Sequence, residues 1–345
     1  MSQRPRVALA GATGAVGREL LRLFETRDFP LRSLRLLASP ASRGRRVRFR
    51  GEDLAVEALD AASFQDVDLA FFSCGAARAR RFAPEAAEAG SIVVDNSSAF
   101  RLDAGVPLIV PEINAAALRN AGGELESPII ANPNCSTILL VLALAPIARA
   151  YGLRRVVVST YQAASGAGER AMRALLADTG RALSGSKDEE ESPAYFRHCL
   201  AFNLVPWIGG PDEEGGASLE ESKMLHETRK ILGLSELELD ATCVRVPVLR
   251  SHSESVSVET ERPVGVAEAQ ALFREAAGVE LLDDPRAASY PTPLLATGRD
   301  QVMIGRVRAS RVFPSGLSFW LSGDQLRKGA ALNALQIAES LSGPG

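Results

Sequence analysis

In Ala131-Asn-Pro-Asn-Cys-Ser-Thr137, Pro133 and Asn134 break the preceding structure, and the apolar run from Ile138 reads as a helix. Cys135 therefore falls at or near a helix N-terminus, where the dipole and free N–H groups favour the thiolate, the form of the sulfur that attacks carbon. Cys74, Cys199 and Cys243 lack that setting and read as small buried hydrophobes. Two further segments carry polar groups that packing alone does not require. Tyr161-Gln-Ala-Ala-Ser-Gly-Ala-Gly168 ends a strand in a glycine loop, which suits a carboxamide donor from Gln162 and close backbone approach by a ligand. Val244-Arg-Val-Pro-Val-Leu-Arg-Ser-His252 ends another strand with Arg245 inside it and His252 at its tip. An arginine within an apolar strand is costly unless paired, so a substrate carboxylate is the expected partner. The chain has three histidines, and His198 and His226 sit among polar residues without catalytic context. A lone histidine is more often structural; with Cys135 elsewhere as nucleophile, His252 is the candidate base.

A second chemistry stands near the start of the chain. Gly11-Ala-Thr13-Gly14-Ala15-Val16-Gly17 follows an apolar strand and opens a helix. Small residues there let the backbone approach a pyrophosphate, and the helix N-terminus offers N–H donors and a favourable dipole. The spacing differs by one residue from G-x-G-x-x-G, and a plain tight turn would also account for it. The segment after the second strand, Leu36-Leu-Ala-Ser-Pro-Ala-Ser-Arg-Gly-Arg-Arg46, contains no acid to hold a ribose 2′-OH. Ser39, Ser42 and Arg43 offer donors to a 2′-phosphate instead, so NADP is expected over NAD; a basic surface loop is the bland alternative.

These groups need a scaffold of two kinds. Residues 7–10, 34–37, 68–73 and 91–95 read as strands, with a helix over 18–25 that places Leu20, Leu21 and Phe24 on one face. Strands alternating with helices imply a parallel, dinucleotide-binding sheet of Rossmann type. Further on, residues 154–161, 240–248, 253–260, 302–308 and 317–321 read as strands of a mixed sheet with one covered face, Val256 and Val258 pointing the same way. Helical patterns lie at 169–183, 220–232 and 267–276, and a last one at 326–341 is expected to dock back on the first domain. The fold class is thus α/β with a second, α+β domain. The expected division is a cofactor-binding domain over 1–133, completed by 324–345, and a catalytic and dimerisation domain over 134–323.

Composition excludes several classes. At 345 residues, with 46% apolar and 23% charged, the chain suits a globular protein of two domains. A net charge of -3 offers no nucleic-acid surface. Four scattered cysteines without C-x-x-C argue against a zinc site or disulfide framework and suit a reducing cytosol. The apolar run 138–147 is interrupted by Pro146 and is well short of the ~20 residues that span a bilayer. A soluble, unprocessed, cytoplasmic protein is expected. Lys187-Asp-Glu-Glu-Glu-Ser192 reads as a solvated loop, and no internal repeat is visible.

The motifs together resemble the aspartate-semialdehyde dehydrogenase family along almost the whole chain. They are GATGAVG at 11–17, DNSSAFR at 95–101, PEIN at 111–114, IIANPNCST at 129–137, STYQAASGAG at 159–168, EESKM at 220–224, ATCVRVPV at 241–248, SHSES at 251–255 and LRKGAALNALQIAE at 326–339. The resemblance implies reduction of L-aspartyl-4-phosphate by NADPH to L-aspartate-4-semialdehyde and phosphate, toward lysine, threonine and methionine. It implies Cys135 as the nucleophile that forms an acyl-thioester, His252 as acid/base, and Gln162 orienting the thioester carbonyl. By the same match Arg245 binds the substrate carboxylate, Glu220 its ammonium group, and Arg101, Asn134 and Lys223 the phosphate. Ser165, Gly166 and Gln325 join the glycine turn, Ser39, Ser42 and Arg43 as cofactor positions, and a homodimer or homotetramer is implied. Two departures bear on cofactor affinity: Ala41 stands where many relatives have arginine, and Gln325 where the family usually has asparagine. Another acyl-phosphate or acyl-CoA reductase of the same fold is the nearest rival, such as N-acetylglutamyl-phosphate reductase or malonyl-CoA reductase. The E-x-x-K of Glu220 and Lys223, with Asn134 before Cys135, favours the aspartyl substrate. A non-catalytic paralogue is the rival of another class; retention of Cys135, Gln162, Arg245 and His252 speaks against it.

Overall fold

The structure is a computed structural model that describes residues 4–185 and 195–341. The charged run from Lys187 to Ser192 lies outside the described residues. The chain divides into two compact units. One takes in the chain up to Asn134 and again from Gly329; the other runs from Cys135 to Lys328.

In the first unit the strands are β1 (Arg6–Ala10), β2 (Ser33–Ala38), β3 (Arg46–Phe49), β4 (Glu52–Ala58), β5 (Leu69–Phe72), β6 (Ile92–Asp95) and β7 (Ile129–Ala131). They form one sheet in the order β3-β4-β2-β1-β5-β6-β7, parallel throughout except for β3 at the edge. The central strands are apolar on both faces because both are covered: Leu69-Ala-Phe-Phe72 is buried at every position. Alternate side chains feed two cores, Val7 and Leu9 into one and Ala8 and Ala10 into the other. Helix α1 (Ala15–Thr26) adds Leu20, Leu23 and Phe24 to the first core, and α2 (Ala76–Glu88) adds Ala79, Phe82 and Ala83 to the second. A short α3 (Pro111–Asn114) follows. The C-terminal segment opens as a π-helical turn, Arg327–Ala331, before the helix Leu332–Leu341, whose Leu335, Ile337 and Leu341 pack into the same core as α1. The hairpin β3–β4 has no counterpart in the sequence reading. Its strands are charged and half exposed, and its signal was the two-residue turn Arg50-Gly51. Both residues there have positive φ (46° and 85°), as tight hairpins require.

The second unit holds helices α4 (Cys135–Tyr151), α5 (Glu169–Leu183), α6 (Leu219–Leu232) and α7 (Val266–Glu275). Its strands are β8 (Arg155–Gln162), β9 (Glu238–Arg245), β10 (His252–Glu259), β11 (Val279–Leu281), β12 (Val302–Ala309) and β13 (Gly316–Gly323). They make a mixed sheet, β11-β12-β13-β10-β8-β9, in which β8–β9 and β11–β12 are parallel and the other pairs antiparallel. Along β10 the even-numbered residues are buried and Ser255, Ser257 and Glu259 are only half buried, so one face is covered. Helix α4 begins at Cys135 itself and continues through Pro146. Its residues from Ser136 to Ala145 are all buried, the mark of a core helix. Among the described residues no helix is long and apolar enough to cross a membrane.

Candidate active site

The register of the second sheet lines up the polar groups. Gln162 on β8 is opposite Arg245 on β9, and His252 on β10 is opposite Gly323 on β13. His252 lies one step beyond the Ser253–Tyr161 pair, so it faces Gln162 across β8 and β10. Arg245, Gln162 and His252 thus form a row on neighbouring strands, the first two at the strand ends and His252 at the start of β10. All three are buried.

Cys135 reaches this row through packing. A Cβ on Gly323 would stand 2.6 Å from Leu139, so the absent side chain lets α4 settle onto the end of β13. Cys135 is four residues before Leu139 and shares its helix face. As the first residue of a 17-residue helix it sits at the positive end of the dipole. Electrostatics agree: burial pushes the Arg245 guanidinium below its ordinary range, while Cys135 and then Glu220 favour its charged form.

One peptide joins the arginine to the histidine. The Ala163 N–H donates to His252 Nδ1 at 3.0 Å, and the Ala163 carbonyl accepts from Arg245 Nη1 at 2.7 Å. With Nδ1 an acceptor, the neutral ring carries its proton on Nε2. Burial, then the neighbouring Arg245, push His252 well below its ordinary pKa, and its buried Nε2 has no hydrogen-bond partner. A Cβ on Gly166 would lie 2.8 Å from Arg245 Nη1 and 3.0 Å from His252 Nε2. The glycine thus keeps the ground beside both groups clear. Sequence reasoning assigned the loop to backbone approach but had no means of finding Ala163, whose contribution is all main chain.

On α6, Ser218 and Glu221 form a capping box that sets the helix start and presents Glu220 in its first turn. Buried Glu220 accepts from Gln162 Nε2 at 3.4 Å and pairs with Lys223 Nζ at 3.2 Å. Gln162 Nε2 also donates to Thr160 Oγ1 at 3.3 Å. The second unit therefore gathers Cys135, Gln162, Glu220, Lys223, Arg245 and His252, with Ser165 and Gln325 hydrogen-bonded to each other nearby. Arg101 and Asn134 belong to the first unit. Arg101 is buried there, donating to the carbonyls of Asn132 and Asn96 at 3.0 Å each.

In the same unit the glycine turn fits a dinucleotide. A Cβ on Gly11 would stand 2.2 Å from the Ser73 carbonyl oxygen, and one on Gly17 2.3 Å from that of Gly11. Gly14 caps α1 without a side-chain bond, and the first helical bond runs from Arg18 N–H to Gly14, leaving Ala15, Val16 and Gly17 ahead of the ladder. The Gly11 and Ala12 N–H groups both donate to the Leu37 carbonyl. That ties the turn to the end of β2, where Ser39, Ser42 and Arg43 follow in a 3-10 turn.

One reading needs correction. Cys199 is exposed rather than buried, in an irregular segment outside the described strands and helices. Cys243 is buried and Cys74 partly so.

Sequence reasoning also passed over Glu254. Its neighbours Val256 and Val258 point inward, so strand parity places Glu254 inward too. It is fully buried, and neither carboxylate oxygen has a hydrogen-bond partner. Burial holds its pKa well above the ordinary carboxylate range. An unfolded glutamate ionises near pH ~4.3, whereas the folded one keeps its proton, so stability from this group is complete below that pH and is lost as pH rises toward the folded pKa. Glu254→Gln removes the linkage without changing shape. Relative to the parent, its unfolding free energy should improve progressively from pH 5 to pH 8, by about 1.4 kcal/mol for each unit by which the two pKa values part, read as a rising difference in melting temperature. An equal difference at both pH values would show that Glu254 ionises normally.

Both units match known proteins. Residues 6–121 match the family model of the semialdehyde dehydrogenase NAD binding domain, and residues 144–328 that of the semialdehyde dehydrogenase dimerisation domain. The chain is 47% identical to aspartate-semialdehyde dehydrogenase of Aquifex aeolicus over 337 residues, 97% of each protein. The crystal structure of aspartate semialdehyde dehydrogenase II from Vibrio cholerae complexed with ASA superposes with a TM-score of 0.91 at 41% identity, covering 99% of both chains. The Candida albicans enzyme with NADP superposes with a TM-score of 0.74 at 25% identity over 98% of both chains. Two domain matches in order and near-half identity across the full length leave one conclusion: this chain belongs to the aspartate-semialdehyde dehydrogenase family.

Proposed function

We propose that the chain reduces L-aspartyl-4-phosphate to L-aspartate-4-semialdehyde with release of phosphate, using NADPH and a Cys135 acyl-thioester. The observation that carries this reading is the Ala163 peptide, bonded at once to His252 and Arg245 beside a glycine that keeps the adjoining space open. A carboxylate-binding arginine and a proton-handling imidazole are thereby held in fixed relation, next to the helix that begins at the nucleophile.

The Cys135 thiolate attacks the acyl carbon, a C–S bond forms, and phosphate leaves with the bonding pair. Arg245 grips the α-carboxylate as a planar fork and Glu220 takes the ammonium group, so the acyl carbon is delivered to the sulfur in one orientation. Gln162 directs its carboxamide at the thioester carbonyl oxygen. Arg101, Asn134 and Lys223 receive the phosphate. His252 holds a proton at Nε2 and donates it as a hydrogen bond to the oxyanion of the tetrahedral species on Cys135; as the carbonyl re-forms, the C–S bond breaks, the sulfur leaves with the bonding pair and the proton stays on Nε2. NADPH, when bound, supplies the hydride. The glycine turn Gly11–Gly17 holds its pyrophosphate, and Ser39, Ser42 and Arg43 its 2′-phosphate, with Thr13, Ser165, Gly166 and Gln325 completing the cofactor positions. We assign the protein to the cytoplasm and to lysine, threonine and methionine biosynthesis, as a homodimer or homotetramer built on residues 134–323.

The test is turnover of aspartate semialdehyde with phosphate, using each dinucleotide in turn. Specificity constants should favour NADP by roughly tenfold or more, the scale of one charge-assisted hydrogen bond. Preference for NAD would show that Ala41 has cost the loop its 2′-phosphate site. Turnover of N-acetylglutamate semialdehyde or a coenzyme A thioester in place of aspartate semialdehyde would overturn the substrate assignment.

A further inference from the structure

Gln325 lies between β13 and the π-helical turn and is buried, yet it is no part of either element's core. Both ends of its amide are engaged within the second unit. Its Oε1 accepts from the Ser251 N–H at 2.8 Å, and its Nε2 donates to Ser165 Oγ. Ser251 immediately precedes His252, is fully buried, and has φ +74°, in the left-handed region that a residue with a Cβ rarely adopts. Such a conformation persists only where its surroundings over-determine it. Two side chains grip it here: the Gln325 carbonyl accepts from its N–H, and Thr297 Oγ1 lies 2.8 Å from its hydroxyl.

The other end of the amide leads back to the same histidine. Ser165 belongs to the glycine loop, whose N–H groups at Ala164 and Ser165 donate to the carbonyls of Val248 and Leu249 at 2.8 and 3.1 Å. Two residues before Ser165, the Ala163 N–H donates to His252 Nδ1. Gln325 therefore closes a ring through Ser251, His252, Ala163 and Ser165. The ring fixes the strand end that carries the imidazole against the peptide that orients it.

We propose that Gln325 is a positioning residue for His252: by clasping Ser251 and Ser165 it holds the imidazole on the Ala163 N–H and so keeps the ring proton on Nε2. This rests on the reading of His252 as the proton-handling group, and it assigns Gln325 a role besides any contact with the dinucleotide. An asparagine is one methylene shorter and cannot span both partners from the same backbone, so the glutamine matters for this chain in particular.

The experiment uses the full chain and two variants. Gln325→Met keeps the length and removes both hydrogen bonds; Thr297→Val loosens Ser251 from its other side. The first readout is the nitrogen spectrum of labelled histidine in the protein without substrates, with His252 assigned by comparison with His198→Asn and His226→Asn. The parent should show a neutral ring protonated at Nε2, and Gln325→Met should lose that single-tautomer signature, with Thr297→Val shifted the same way but less. The second readout is kinetic. In Gln325→Met, kcat should fall roughly ten- to a hundredfold, the scale of a small misplacement of a catalytic group, over and above any rise in the KM for NADP. Unchanged histidine shifts in Gln325→Met overturn the proposal, as does a raised KM for NADP with kcat intact, which would leave Gln325 a cofactor contact alone. Should the chain fail to turn over aspartate semialdehyde, the spectrum still decides the clasp, so the two readings fail separately.

Discussion

Cys135→Ala should lower turnover by roughly four orders of magnitude or more, the scale on which removal of a covalent nucleophile is felt, with the melting temperature close to that of the parent. Alanine is the best helix former and the site is only partly buried, so neither the start of α4 nor its packing is compromised. No other thiol can replace it. Burial, then the charge of Asp95, push the Cys74 thiol up to about 11, and burial raises that of Cys243 further. Cys199 is exposed and, among the described residues, far from any helix start in sequence. Iodoacetamide will therefore reach Cys199 as an ordinary surface thiol, and the informative measurement is inactivation in a Cys199→Ser background. Loss of activity should follow labelling of Cys135, and aspartate semialdehyde should protect it. Full turnover in Cys135→Ala, or inactivation that tracks another cysteine, would remove the nucleophile from the mechanism.

The second large effect separates the two ends of the substrate. Arg245→Lys should reduce kcat/KM for aspartate semialdehyde roughly a hundredfold, because an ammonium cannot reproduce a bidentate fork. The geometry makes the change worse than a change of charge distribution. Arg245 already gives Nη1 to the Ala163 carbonyl, and a lysine that keeps this bond has no planar face left for a carboxylate. Lys223→Ala should instead raise the KM for phosphate about tenfold to a hundredfold, as expected for one charged hydrogen bond, and leave that for semialdehyde nearly unchanged. Glu220 loses its partner at 3.2 Å in that variant but keeps the Gln162 amide, so the ammonium site persists. If the two substitutions moved both Michaelis constants alike, the roles given to Arg245 and Lys223 would have to be abandoned.

Much of the molecule was legible before folding. Periodicity marked the strands that became β1, β2, β5, β6, β8, β9, β10, β12 and β13, because buried strands are apolar and half-covered ones alternate. The helix over 169–183 coincides with α5. Turn residues marked the glycine loop and the start of α4; His252, expected at the tip of the strand that carries Arg245, instead opens β10. Missed were β3, β4, β7 and β11: short, charged or edge segments whose pairing depends on a neighbour rather than on their own pattern.

The sequence by itself determined which residues could do chemistry: a cysteine after a chain-breaking turn, an arginine too costly for an apolar strand without a partner, a histidine at a strand tip. Local rules suffice for that, because cap, turn and burial preferences act over a few residues. Only the tertiary structure decided how those groups act on one another. The tautomer of His252 is set by the Ala163 N–H, 89 residues away in sequence, and the strained Ser251 is held by Gln325, 74 residues away. The raised pKa of Glu254 follows from burial without a partner, and spacing alone encodes no partner. Hydrogen bonds and desolvation depend on distance in space, and the register of β8, β9, β10 and β13 is what turns distant positions into neighbours.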